Sequence, residues 1–160
     1  MKIWLFRNSN LRTISIILFL GTITSCSTIK WEVPSAYVGQ WNTGEQKITV
    51  RTHPKGGYQF TSDSARLTIE INGDKKVSGR IGLAEFDQGI LERNTGNPDI
   101  TGVAYIIKCG RIGKIFENDP LETKEVEIWL SPVEEKMKAE LRFTEGMAVF
   151  PMGELTFSKR

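Results

Sequence analysis

Three segments of this chain alternate apolar and polar residues with a period of two. That period dictates extended backbone, because successive side chains on a strand point to opposite faces. From Arg66 to Asn72, Leu67, Ile69 and Ile71 oppose Arg66, Thr68 and Glu70. From Lys124 to Ser131, Val126, Ile128 and Leu130 oppose Glu125, Glu127 and Trp129, and from Met137 to Thr144, Met137, Ala139, Leu141 and Phe143 oppose Lys138, Glu140 and Arg142. The last two predict a hairpin, since their apolar faces agree and opposite charges can pair across the outer face.

Shorter stretches fit the same frame: Gln46 to His53 with Ile48 and Val50 inward, Lys75 to Ile81, Gly102 to Cys109, and Gly153 to Lys159 with Leu155 and Phe157 inward. Asn72-Gly73 is expected to supply the positive φ values of a tight hairpin turn. Asp87 to Asp99 reads as the longest loop, and Gly79-Arg80-Ile81-Gly82 and Gly110-Arg111-Ile112-Gly113 as bulges or bends. The predicted fold is all-β, an antiparallel up-and-down barrel or closed sandwich of about eight to nine strands. Closure is favoured because an open meander would leave hydrogen-bonding edges bare.

The N-terminus carries a different signal. Lys2, Arg7 and Arg12 precede a largely apolar run from Thr13 to Thr24, which ends in Ile23-Thr24-Ser25-Cys26. The run is too short for the roughly 20 residues of a spanning helix, and the quartet resembles the lipobox of bacterial lipoproteins. The resemblance implies that residues 1–25 are a signal peptide that is removed. Cys26 is then the lipid-attachment residue, palmitate-type acyl chains on it hold the protein to a membrane, and 26–36 form a lipidated tether before a β-barrel domain at 37–160. Ser27, where an aspartate would retain the protein in the inner membrane, favours the outer membrane of the cell envelope.

Charge narrows the partners. Three of the 21 Lys and Arg and none of the 19 Asp and Glu lie in residues 1–25, so their removal turns the balance from +2 to −1. Without clustered cations to replace phosphate counterions, nucleic acid is not an expected partner. With Cys26 acylated, Cys109 has no intramolecular thiol partner and reads as a small buried apolar residue. His53 is the single histidine, with no carboxylate at ligand spacing, so no metal site is expected. Glu122, Glu125, Glu127, Glu134 and Glu135 read as solvated faces. A serine or cysteine nucleophile would need a base that the chain does not offer. No catalytic residue and no cofactor is assigned, and the chain is not read as an enzyme.

Gly39-Gln40-Trp41, just before the first clear strand, resembles the Gly-x-Trp motif that opens the lipocalin family. That likeness implies an eight-stranded barrel with Trp41 plugging its closed end and a small hydrophobic ligand or lipid in the lumen, the ligand-binding residues remaining unassigned. It agrees with Cys26, because bacterial members are often outer-membrane lipoproteins. The second reading is a non-catalytic structural or interaction lipoprotein that docks on another envelope protein. The two differ in whether the barrel is hollow or filled, and the large inward residues argue for filling. Gly146 to Gly153 reads as an apolar connection, either a lid over the barrel or a docking surface.

Overall fold

The structure is a computed structural model that describes residues 31–145 and 148–160. The expected signal segment, Cys26 and the first part of the tether lie outside the described residues, as do Gly146 and Met147. Residues 32–160 form one compact unit.

The alternating segments become strands because each can bury one face and wet the other. In chain order they are β1 (Gly39–Asn42), β2 (Gln46–Thr52), β3 (Gln59–Ala65), β4 (Leu67–Ile71), β5 (Lys76–Ile81), β6 (Ala84–Arg93), β7 (Tyr105–Ile112), β8 (Lys124–Leu130), β9 (Met137–Glu145) and β10 (Ala148–Lys159). A single helical turn, α1 (Pro98–Thr101), is capped by the Asn97 side chain and closed by Gly102 in the left-handed region. Eight strands close into an antiparallel barrel in the order β1-β10-β9-β8-β7-β6-β5-β4, while β2 and β3 pair with each other as a separate ribbon. The predicted barrel and its hairpins are therefore present, with β4 buried at Leu67, Ile69 and Ile71 and β9 at all four of its predicted inward positions.

The ribbon is the continuation of the β1–β4 pair. Asn42 pairs with Thr68, but the next pair is Gln46 with Ala65, so one strand advances four residues while its partner advances three. Thr43 fills the break. Its amide donates to the Leu67 carbonyl at 2.9 Å, its hydroxyl accepts from the Leu67 amide at 3.0 Å, and the residue is 2 % exposed. Beyond it β2 runs beside β10 so closely that a Cβ on Gly153 would lie 2.7 Å from the Lys47 carbonyl. Ile48 and Val50 are completely buried there, as expected of their alternation.

Two stretches expected to be loops are strands, for one shared reason. Asp87 to Arg93 belongs to β6, and Ala148 to Gly153 opens β10. Each strand carries one extra residue: β6 between the partners of Val77 and Gly79, β10 between Pro151 and Gly153. A bulge moves the following residues to the other face, so the buried positions fall at Phe86, Gly89 and Leu91, and at Met152, Leu155 and Phe157, and strict alternation is lost. Pro151 is tolerated because it stands at the bulge and β2 forms no ladder with that edge. A third bulge, in β7 between Lys108 and Gly110, fulfils the expectation for the Gly110 segment, although the strand runs through it to Ile112.

The β4–β5 turn forms at Asn72, but its left-handed residue is Lys75 (φ 74°), not Gly73. The Asn72 carbonyl accepts from the Lys75 amide at 3.1 Å. A turn of this class places the positive φ after the turn, not within it.

Candidate functional site

Three places could carry function: the barrel interior, its two closed ends, and the outer surfaces, including the ribbon. The interior is lined mainly by apolar side chains from the inward positions of the strands. Phe143, Phe157, Leu67, Ile107, Ile128 and Met137 are each less than 2 % exposed. The main recesses, from about 240 to about 600 Å³, are open grooves lined largely by outer-face and loop residues. Trp41 is 2 % exposed in β1, where the Gly-x-Trp resemblance placed a plug, and its indole Nε1 donates to the Tyr37 carbonyl at 2.8 Å.

Tyr37 completes that end of the barrel. Its hydroxyl donates to the Ser131 carbonyl at 3.0 Å, and its ring meets Tyr105 edge-on at 4.6 Å. Burial, helped by the neighbouring Tyr105 hydroxyl, raises its pKa from 10.0 to about 12. The folded state therefore favours the neutral phenol. This contribution to stability is complete below the unfolded-state pKa of about 10 and is lost as pH climbs toward 12. In thermal melts between these pH values, the Tm of the wild type should fall more steeply than that of Tyr37→Phe. Equal slopes would remove Tyr37 from the alkaline transition.

The opposite end is closed by the β7–β8 connection, residues 113–123. Ile115 and Phe116 are buried, and the Ile115 carbonyl accepts from the Leu83 amide at 2.9 Å. It passes over Gly82 (φ +56°), where a Cβ would lie 2.1 Å from that carbonyl, so only glycine fits. The connection is organised by a buried ion pair, Lys124 Nζ to Asp119 Oδ2 at 2.5 Å, with side chains 1 % and 0 % exposed. Asp119 also accepts from the Ile115 amide at 2.9 Å and the Leu121 amide at 3.0 Å, while Lys124 donates to the Gly113 carbonyl at 3.3 Å. Sequence reading missed this pair, although Lys124 has the parity of Val126, Ile128 and Leu130 and so points inward. That parity was the available signal.

The residues weighed for chemistry do not converge. Among the described residues no group of three or more His, Cys, Asp and Glu could hold a metal ion. His53 packs edge-on against Tyr58 at 4.6 Å in the ribbon tip. Cys109 is buried in β7, and burial pushes its thiol well above the usual range, which keeps it in the unreactive protonated form. The glutamates are spread over the surface: Glu122 pairs with Lys114 at 2.9 Å, Glu125 accepts from Thr144 at 3.3 Å, and Glu127 accepts from the Trp129 indole at 2.8 Å. Glu134 and Glu135 are exposed in the β8–β9 connection. Cys26 lies outside the described residues.

Two outer surfaces have more than solvated charge. On the β8–β9 wall the Arg142 guanidinium lies 3.7 Å from the centre of the Trp129 ring and is hydrogen-bonded to Glu140, all three residues being half-buried. At the ribbon, Arg51 sits 3.5 Å from the Phe150 ring centre and 4.5 Å from that of Tyr58. Phe150, expected in an apolar connection that is either a lid or a docking surface, stands in β10 and pairs with Phe143 across β9–β10, their rings 5.2 Å apart. No protein-family model matches the chain, and neither the curated proteins nor the solved structures contain a match to it.

Proposed function

We propose that this chain is a lipid-anchored, non-catalytic protein of the bacterial cell envelope, outer-membrane by preference, whose barrel is a solid scaffold that presents its outer wall to another envelope protein. The packing of the interior carries the choice between the two readings. A carrier of small hydrophobic ligands needs a lumen, and here large side chains occupy the inward positions while both ends are closed by their own hydrogen-bonded segments. A barrel of eight strands is only just wide enough for side chains to fill it. The β8–β9 wall has the surface chemistry suited to a protein partner, because partly exposed Trp and Arg are among the residues that anchor such contacts. Anchoring rests on the resemblance of Ile23-Thr24-Ser25-Cys26 to a lipobox, and non-catalytic character on the absence of a nucleophile–base pair in the sequence.

Two measurements test this reading. Cys26→Ala should leave an unprocessed precursor, whereas the wild type should have the intact mass of a chain beginning at an acylated Cys26. Retention of residues 1–25 with an unmodified cysteine would end the lipoprotein reading. A native mass spectrum of the gently extracted protein should then show no small molecule beyond those acyl chains, and a stoichiometric apolar adduct would restore the ligand-carrier reading.

A further inference from the structure

The ribbon is unlike the rest of the surface. From Gln46 to Ser62 the chain has no carboxylate, yet it carries Lys47, Arg51 and Lys55 together with His53. Cross-strand pairing sorts these residues by face. Arg51 lies opposite Phe60, Thr49 opposite Ser62 and Lys47 opposite Ser64, so cations and aromatic rings share one face. Asp63 lies opposite Ile48 and belongs to the other.

On the cationic face Tyr58 is 58 % and Phe60 66 % exposed. Exposed apolar side chains that cluster in this way mark a contact surface. Arg51, stacked against both Tyr58 and Phe150, joins the ribbon tip to the β9–β10 end, so rings and cations form one surface. The carboxylates bordering it are Glu45 at the ribbon base and Glu145 at the end of β9.

We infer that this face docks on an anionic phospholipid surface. A two-stranded finger whose tip combines amphipathic and apolar rings with cations suits the bilayer interface, where aromatic rings settle at headgroup level and Lys and Arg are drawn to anionic lipid. A protein pocket would have to supply complementary carboxylates and a matching shape; a lipid surface supplies both charge and depth without one. The contact uses side chains of the barrel domain alone and does not depend on Cys26.

Residues 32–160 contain every described strand and both end closures, so this part can be tested as a non-lipidated chain. It should cosediment with vesicles of mixed phosphatidylcholine and phosphatidylglycerol, remain in solution with phosphatidylcholine alone, and be released by added salt. Lys47→Gln with Lys55→Gln, both at exposed positions, should weaken binding about thirtyfold, taking each cation at its usual contribution near an anionic membrane. Phe60→Ser should weaken binding with an unchanged Tm. Equal binding to neutral vesicles, insensitivity to the lysine changes, or no binding to either vesicle would overturn the inference. No binding would leave the face to a protein. None of these outcomes bears on lipidation of Cys26, which intact mass decides separately.

Discussion

Replacing Lys124 with methionine is expected to lower the unfolding free energy by about 3 to 5 kcal/mol. The substitution keeps the volume of the side-chain stem but leaves the Asp119 carboxylate, 0 % exposed on its side chain, without its cation. The penalty is therefore that of a stranded buried charge and exceeds that of a lost surface pair. A chain of this size should lose roughly 10 to 20 °C in Tm. Adding Asp119→Leu to Lys124→Met should recover part of the loss and not all of it, because the Ile115 and Leu121 amides then lose their acceptor. Urea unfolding of the two single variants and the double one measures this coupling. Additive costs would show that the pair does not act as a unit.

Phe157→Ala is the second large effect, expected at about 3 to 5 kcal/mol. Phe157 is 0 % exposed and lies opposite Met137 on the inner wall. In a filled barrel the truncation loses both the transfer energy of the ring and the contacts around the void, and the new cavity is apolar on all sides and should stay dry. The variant should then bind benzene or xenon where the wild type does not. A cost below about 1.5 kcal/mol, or equal uptake of the probe by the wild type, would mean that the interior already has room. The same measurement bears on function, because a carrier must have that room before mutation.

How far the fold could be read from the chain depended on the bulges. Where a strand runs without one, as in β4, β8 and β9, the alternation named the inward residues directly. Where one extra residue intervenes, as at Met152 in β10 or after Phe86 in β6, the inward positions change parity and the segment looks like a loop. The turn at Asn72 was legible in place but not in conformation, because a positive φ at a lysine leaves no compositional mark. Closure of the barrel ends was legible only in part. Trp41 stood out as the aromatic of Gly39-Gln40-Trp41, whereas Asp119 and Lys124 looked like ordinary solvated charges, since the inward parity of Lys124 is written in the sequence but the loop path that turns Asp119 toward it is not. The ribbon face escaped notice because its cations and rings lie on two strands and become one surface only through cross-strand pairing.

The wall is thinnest at β1, and that has a mechanical consequence. This strand contributes four residues and is paired with β10 at two positions, against four with β4. Tension arriving along the N-terminal segment reaches β1 through Tyr37, whose carbonyl holds the Trp41 indole. Because β1 is antiparallel to both neighbours, an axial pull shears the two ladders together, and the shorter one yields first. Its rupture opens the cylinder into a curved sheet while β4 to β10 keep their pairing, so a pull on the chain ahead of β1 would unzip one seam and bring Trp41 into water before the remaining ladders part.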